Sequence, residues 1–274
     1  MELTTLIQHY WPYTCLGAVT GFLVGLTGVG GGALMTPMLL VFGINPSVAV
    51  GTDLLYASIT KSFAIWRYHT KKLINWHIVG LVCLGSLPSG LVIIAILHHL
   101  PDLKTIDLII EHGIGFALLF VALFLIFKDR IMRRLDSEEP GAAQTGSHRR
   151  TDILTVCGGI ILGALITITS IGAGALGIVL LLSLYPRLQI NKIVGTDLSQ
   201  ALPIALLAAI GHMSLGNVNF YLLVALLIGS LPAVYLASRI ATRVPEKIFR
   251  FIMAILLAGI GGRLIVTKFL LYFE

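Results

Sequence analysis

Gly28-Val29-Gly30-Gly31-Gly32-Ala33-Leu34 lies in the middle of an apolar stretch, residues 13–42, that is too long for a single membrane span of about 20 residues. The pattern returns 142 positions later as Ser170-Ile171-Gly172-Ala173-Gly174-Ala175-Leu176, inside a second over-long stretch, 153–185. Val50-Gly51-Thr52-Asp53-Leu54 returns after 144 positions as Val194-Gly195-Thr196-Asp197-Leu198. Gly85-Ser86-Leu87-Pro88 returns after the same 144 as Gly229-Ser230-Leu231-Pro232. Three ordered matches that differ by one two-residue insertion make the chain two homologous halves. The expected division is a first transmembrane repeat over 10–128, a basic linker over 129–151 and a second repeat over 152–274.

The composition fits a membrane chain and little else. Of 274 residues, 57% are hydrophobic and 12% charged, with a mean hydropathy of +0.94. Soluble domains average about 25% charged residues, so a cytosolic enzyme, a secreted domain and a disordered chain are excluded. Six further apolar stretches, 46–66, 76–97, 106–127, 193–210, 220–241 and 248–271, have single-span length. The opening Met-Glu-Leu-Thr-Thr has no basic n-region, so it does not read as a removable signal peptide. Cys15, Cys83 and Cys157 are widely separated in apolar runs and read as small buried hydrophobes. Trp11, Trp66 and Trp76 stand at segment ends as interface anchors. No residue pattern calls for a cofactor or a metal, and none for catalysis.

Lys+Arg number 19 against 13 Asp+Glu, and their placement reports topology rather than nucleic-acid binding. With every stretch a single span, the loop cations divide about 10 against 7. If instead each over-long stretch is a hairpin that turns at its Gly-rich centre, 15 cations fall on one side and only Lys104 and Lys268 on the other. Cytoplasmic loops are the Lys/Arg-rich ones. The reading is therefore an all-α polytopic protein of two inverted-topology repeats, each a Gly-broken hairpin plus three transmembrane helices. Its termini are expected outside and the linker 128–152 in the cytoplasm.

Non-helical backbone survives at membrane depth only against protein or a water-filled cavity. The two breaks would each start a second half-helix whose free N–H groups and positive dipole end suit an anion. Thr27, Gly28, Gly30, Gly31 and Gly32 in the first half are the candidate ligands, with Thr169, Ser170, Gly172 and Gly174 in the second. Thr52 and Thr196 join them from the next helices. The alternative is a tight packing hinge without a ligand.

Asn45-Pro46 reads as the N-cap and first position of a helix, with Asn191 as the matched cap. Asp53 then lies roughly 12 Å inside its helix at 1.5 Å per residue. An ionisable group at that depth is expensive and marks a functional candidate. Lys61 shares its face at i+8, while Tyr56 and Gln200 are polar positions of the same two helices. Asp53 and Asp197 either couple transport to a proton or cation, or hydrogen-bond the turning backbone of the neighbouring hairpin.

Gly25-Leu26-Thr27-Gly28-Val29-Gly30-Gly31-Gly32, Val50-Gly51-Thr52-Asp53-Leu54-Leu55 and Gly85-Ser86-Leu87-Pro88, with their echoes, resemble the TauE/SafE sulfite-exporter family of bacterial membrane permeases. The likeness covers nearly the whole chain. In the second half Ser170 and Ala173 replace glycines, and Gln200 stands opposite Tyr56. The resemblance implies a multi-pass inner-membrane transporter of small sulfur-containing anions such as sulfite or an organosulfonate. Its substrate would bind at the two broken-helix tips, with alternating access between the repeats. An inside-negative potential favours anion exit by about 2.3 kcal/mol per charge per 100 mV, so export is the expected direction. The rival expectations are an anion-selective channel and an uptake permease driven by a proton or cation gradient. The expected partners are the anion, the bilayer and coupling protons, with the protein a monomer or homodimer.

Overall fold

The computed structural model describes residues 3–27, 32–100, 102–137, 148–172, 174–240 and 254–264. Every regular element among them is a helix. The first half contains α1 (Leu3–Thr27), α2 (Gly32–Val41), α3 (Pro46–Thr70), α4 (Trp76–His99) and α5 (Leu103–Ser137). The second contains α6 (His148–Thr169), α7 (Ala175–Leu184), α8 (Ile190–Ser214), α9 (Phe220–Ile240) and α10 (Ala254–Leu264). Among the described residues, five helical segments are long and apolar enough to cross a bilayer: Trp76–His99, Lys104–Phe127, Arg149–Thr169, Ile190–Ser214 and Phe220–Ala237.

Polarity is arranged as lipid requires. Leu84, Leu91, Phe116, Phe120, Ile161, Ile228 and Tyr235 face outward, while Asp53, Lys61, Asp197, Gln200 and His212 are buried. Trp11, Trp66 and Trp76 are exposed, as anchors would be. The cysteines differ from expectation: Cys15 and Cys157 are exposed and Cys83 is half-buried. A small apolar thiol costs little against lipid, so burial among protein atoms is not required of it.

Both over-long stretches break and double back. Thr155, early in α6, hydrogen-bonds through its hydroxyl with the Tyr185 hydroxyl just after α7, at 2.8 Å. In the equivalent place of the first half, the Tyr13 and Phe42 rings stand 6.0 Å apart between centroids. Thr20 of α1 also reaches Met35 of α2 across the break, at 3.7 Å. At 10 residues each, α2 and α7 are about 15 Å long, half a bilayer.

The halves pack by exchange. The most extensive contacts join α1 to α9 and α4 to α6, and α3 lies against α8. Glycines permit the close approach, as small residues do in membranes. A Cβ on Gly17 or Gly21 would overlap the backbone at Leu226 or Ser230, and one on Gly159 or Gly163 the backbone at Val82 or Ser86. Residue numbers rise together along each pair, so α1 runs parallel to α9 and α6 parallel to α4. By contrast, Gly51 meets His212 and Gly195 meets Tyr68, so α3 and α8 are antiparallel. The exchange extends to helix starts. Asn219 N donates to Thr52 Oγ1 at 3.1 Å, and Asn75 N donates to Thr196 Oγ1 at 3.0 Å. Each asparagine side chain then caps its own helix, accepting from Leu222 N and Ile78 N respectively.

Two local expectations need correction. The cap of α8 is Gln189, which stands 144 positions after the Asn45 cap of α3; Asn191 falls inside the first turn. The polar stretch after residue 127 is not a loop at its start, because α5 continues to Ser137 and α6 already begins at His148. Charges end a membrane segment, but Lys, Arg, Met and Leu are good helix formers and do not end the helix.

Candidate functional site

The site is built where the hairpins meet α3 and α8. Asp53 follows from its register: two residues after Gly51, which packs under the chain at Asn217, it turns inward and is fully buried. Thr36 of α2 donates its hydroxyl to Asp53 Oδ2 at 2.6 Å. Ser170, in the break of the other hairpin, also lies close to the Asp53 carboxylate. Neither Ser170 Oγ nor Asp53 Oδ1 completes a hydrogen bond, although both are buried. One carboxylate is thus bonded to the first hairpin and lies beside the second.

Asp197 holds the equivalent place on α8, with different partners. Its Oδ1 accepts from Gln200 Nε2 at 3.0 Å. The backbone N–H of Gly174, the N-cap of α7, faces the carboxylate. A Cβ on Gly177 would overlap Asp197 Oδ1. The carboxylate therefore rests on the first turn of α7, where the Gly174 N–H and the positive end of the helix dipole favour a negative charge, the Gly177 N–H being bonded to Gly172 O. Lys61, 4% exposed, lies within charge-interaction range of both Asp53 and Asp197. It is the one cation acting on the two acids in these described surroundings, as Ala205 takes its place in the second half.

The second break owes its shape to residues that tolerate unusual backbone. Ser170 has φ 58, Gly172 φ 138 and Gly174 φ 115. Thr169 Oγ1 accepts from Ile171 N at 3.0 Å and donates back to Leu165 O at 2.6 Å. Its hydroxyl is thus committed to the turn itself. Thr52 and Thr196 accept from the backbone N–H of Asn219 and Asn75 at the junctions between halves. Tyr56 lies in an apolar cluster with Leu16, Met35, Leu39 and Leu226, while Gln200 joins Asp197. Gly28, Gly30 and Gly31 lie outside the described residues, as does the side chain of Thr27, the last residue of α1. Gly32 opens α2.

Thr36, His212 and Asn217 are among the buried polar residues that the sequence alone did not single out. Thr36 has no counterpart in the second half, where the repeat puts Ile178. His212, fully buried, bonds Thr167 O through Nε2 at 3.0 Å, with Nδ1 unpartnered. Asn217 Nδ2 is also unpartnered. Thr36 and His212 find their partners on another helix of their own half, Asp53 and Thr167, while Asn217 packs its backbone on Gly51 of the opposite half. No group of three or more His, Cys, Asp or Glu suited to a metal occurs among the described residues.

Broken-helix hairpins in an apolar helical shell, with acids and a lysine buried between them, define a polytopic membrane transporter. The sequence model of the "Sulfite exporter TauE/SafE" family matches residues 13–264, and the chain belongs to that family. It is 39% identical over 251 residues to "Probable membrane transporter protein YjnA" of Bacillus subtilis (strain 168), covering 91% of this chain and 97% of that one. It is 26% identical to "Probable membrane transporter protein YunE" of the same organism, over 91% of this chain and 95% of that one. A further relative is "Probable membrane transporter protein MJ0441" of Methanocaldococcus jannaschii, 27% identical over 90% of each chain. No solved structure matches the chain.

Proposed function

We propose that this transporter carries a small sulfur oxyanion, sulfite or an organosulfonate, across the cytoplasmic membrane by alternating access. The observation that carries the reading is the convergence of both hairpins on one buried polar centre, where Asp53 meets Thr36 of one and Ser170 of the other. The anion binds at the second tip, to the Ser170 hydroxyl and the backbone N–H groups near Gly172 and Gly174, with Lys61 supplying positive charge. The glycines of the first tip complete the site. Thr169, Thr52 and Thr196 shape and join the parts rather than touch the substrate.

The two halves are inverted. Support comes from the parallel pairs α1–α9 and α4–α6 and the antiparallel pair α3–α8. Along those pairs the chain crosses in opposite senses in the two halves. Lys71, Lys72, Arg149, Arg150, Arg187 and Lys192 then gather at one end, tied together by the Asn75–Thr196 and Thr155–Tyr185 bonds. That end is cytoplasmic. Lys104 falls at the other end, where Ser47 N bonds Asp107. The inside-negative potential favours exit of a bare anion, so the direction of net transport depends on what crosses with it.

The test is uptake of radiolabelled sulfite into proteoliposomes, with unlabelled sulfite, methanesulfonate, chloride and acetate as competitors. Sulfite and the sulfonate compete, and chloride and acetate do not. Equal competition by all four overturns the substrate class.

A further inference from the structure

The Asp197 carboxylate occupies the place at the start of α7 where an anion would bind. It faces the Gly174 N–H and lies on Gly177 so closely that a β-carbon there would overlap it. Beside it, Gln200 donates its amide to Asp197 Oδ1, while Gln200 Oε1, in a residue only 1% exposed, has no donor. What that acceptor lacks is a proton-bearing partner. We propose that Asp197 is a built-in competitor for the anion seat, displaced when it takes up a proton, so that the anion and one proton are carried together.

Asp197 and the substrate carry like charges and need the same donors. Two anions cannot sit on one helix N-terminus in a low-dielectric interior without mutual repulsion. An ionised Asp197 satisfies the α7 dipole and closes the seat. Protonated, it no longer needs the Gly174 N–H, can donate to the vacant Gln200 acceptor, and leaves the dipole to the substrate. The other groups acting on Asp197 are Lys61 and, through it, Asp53, both on α3. On α4, Cys83 meets the Gln200 backbone oxygen. Lys61 remains as the counter-charge in both states. Binding linkage is reciprocal, so a proton that raises anion affinity is itself held more tightly by the anion. The empty carrier returns with the acid ionised and the loaded one with it neutral. For a monoanion no net charge crosses, and the pH gradient rather than the voltage weighs against the substrate gradient.

This inference rests on the proposed substrate reading, and its test separates the two. The full-length protein is reconstituted in liposomes held at zero voltage, with labelled methanesulfonate, which stays a monoanion throughout, as the probe. Exchange at equal pH tests the substrate reading; its absence in the wild type overturns that reading and this inference with it. With the outside one pH unit more acid, the wild type accumulates the probe about tenfold, the ratio of one proton per anion. Asp197→Asn removes that accumulation and Asp197→Glu retains it. Exchange in the wild type without pH-driven accumulation overturns the coupling alone, as does full accumulation by Asp197→Asn. Should Asp197→Asn fail to give monodisperse protein, the comparison of wild type with Asp197→Glu decides: a glutamate variant that exchanges but does not accumulate overturns the proposal.

Discussion

Thr36 Oγ1 donates to Asp53 Oδ2 at 2.6 Å, pinning the return arm of the first hairpin to α3. Both groups are fully buried, so the bond is charge-assisted and shielded from water whenever Asp53 is ionised. Removing the hydroxyl leaves the carboxylate with a lost donor beside an Oδ1 that already has none.

Thr36→Val is therefore expected to destabilise the protein by about 1–3 kcal/mol. Sulfite flux falls with it, because the hairpin loses its tie to α3. Thermal melting in detergent and flux in proteoliposomes check the two effects. Thr36→Ser keeps the hydroxyl and restores both.

Gly177→Ala places a methyl group where Asp197 Oδ1 lies. The variant melts at lower temperature and transports poorly. Asp197→Ala relieves the overlap, so the double variant is less impaired in stability than the sum of the single ones. A double-mutant cycle on melting free energies should show a coupling of about 0.5–3 kcal/mol. Additive effects would mean that the two residues do not touch.

Thr52→Val and Thr196→Val each orphan one backbone N–H, of Asn219 and Asn75 respectively. Each costs about 1 kcal/mol, and the two costs are similar because the junctions are equivalent. Substrate KM is unchanged in both, since each hydroxyl is engaged by a backbone N–H of the opposite half. A raised KM in either would return that threonine to the substrate site.

The sequence showed the breaks, the repeat and the helical class plainly, because each is a local or one-dimensional pattern. It also found Asp53, Asp197 and Lys61, since charge inside an apolar run stands out by itself. It could not separate the two readings of the threonines. Thr52, Thr169 and Thr196 look alike in sequence, yet one bonds its own turn and two bond the opposite half. Thr36 and His212 went unnoticed for a related reason. A threonine or histidine in an apolar helix becomes informative only when a partner 17 or 45 residues away is known. The end of α5 was missed because hydropathy reports where the membrane stops rather than where the helix does.

Topology is open to a direct check. In a background lacking Cys15, Cys83 and Cys157, cysteines introduced at Lys71 and Arg187 should react with an impermeant thiol reagent only after the cells are permeabilised. One at Lys104 should react in intact cells. The reverse pattern would invert the assigned sides.

The central claim is a carrier for small sulfur oxyanions, and counterflow tests it most directly. Liposomes containing the protein are loaded with unlabelled sulfite and diluted into a trace of labelled sulfite at equal pH and zero voltage. A carrier with alternating access gives a transient overshoot of label inside, which preloading with acetate does not produce. Label that only equilibrates, at the same rate whatever the liposomes contain, would contradict the account and point to a channel.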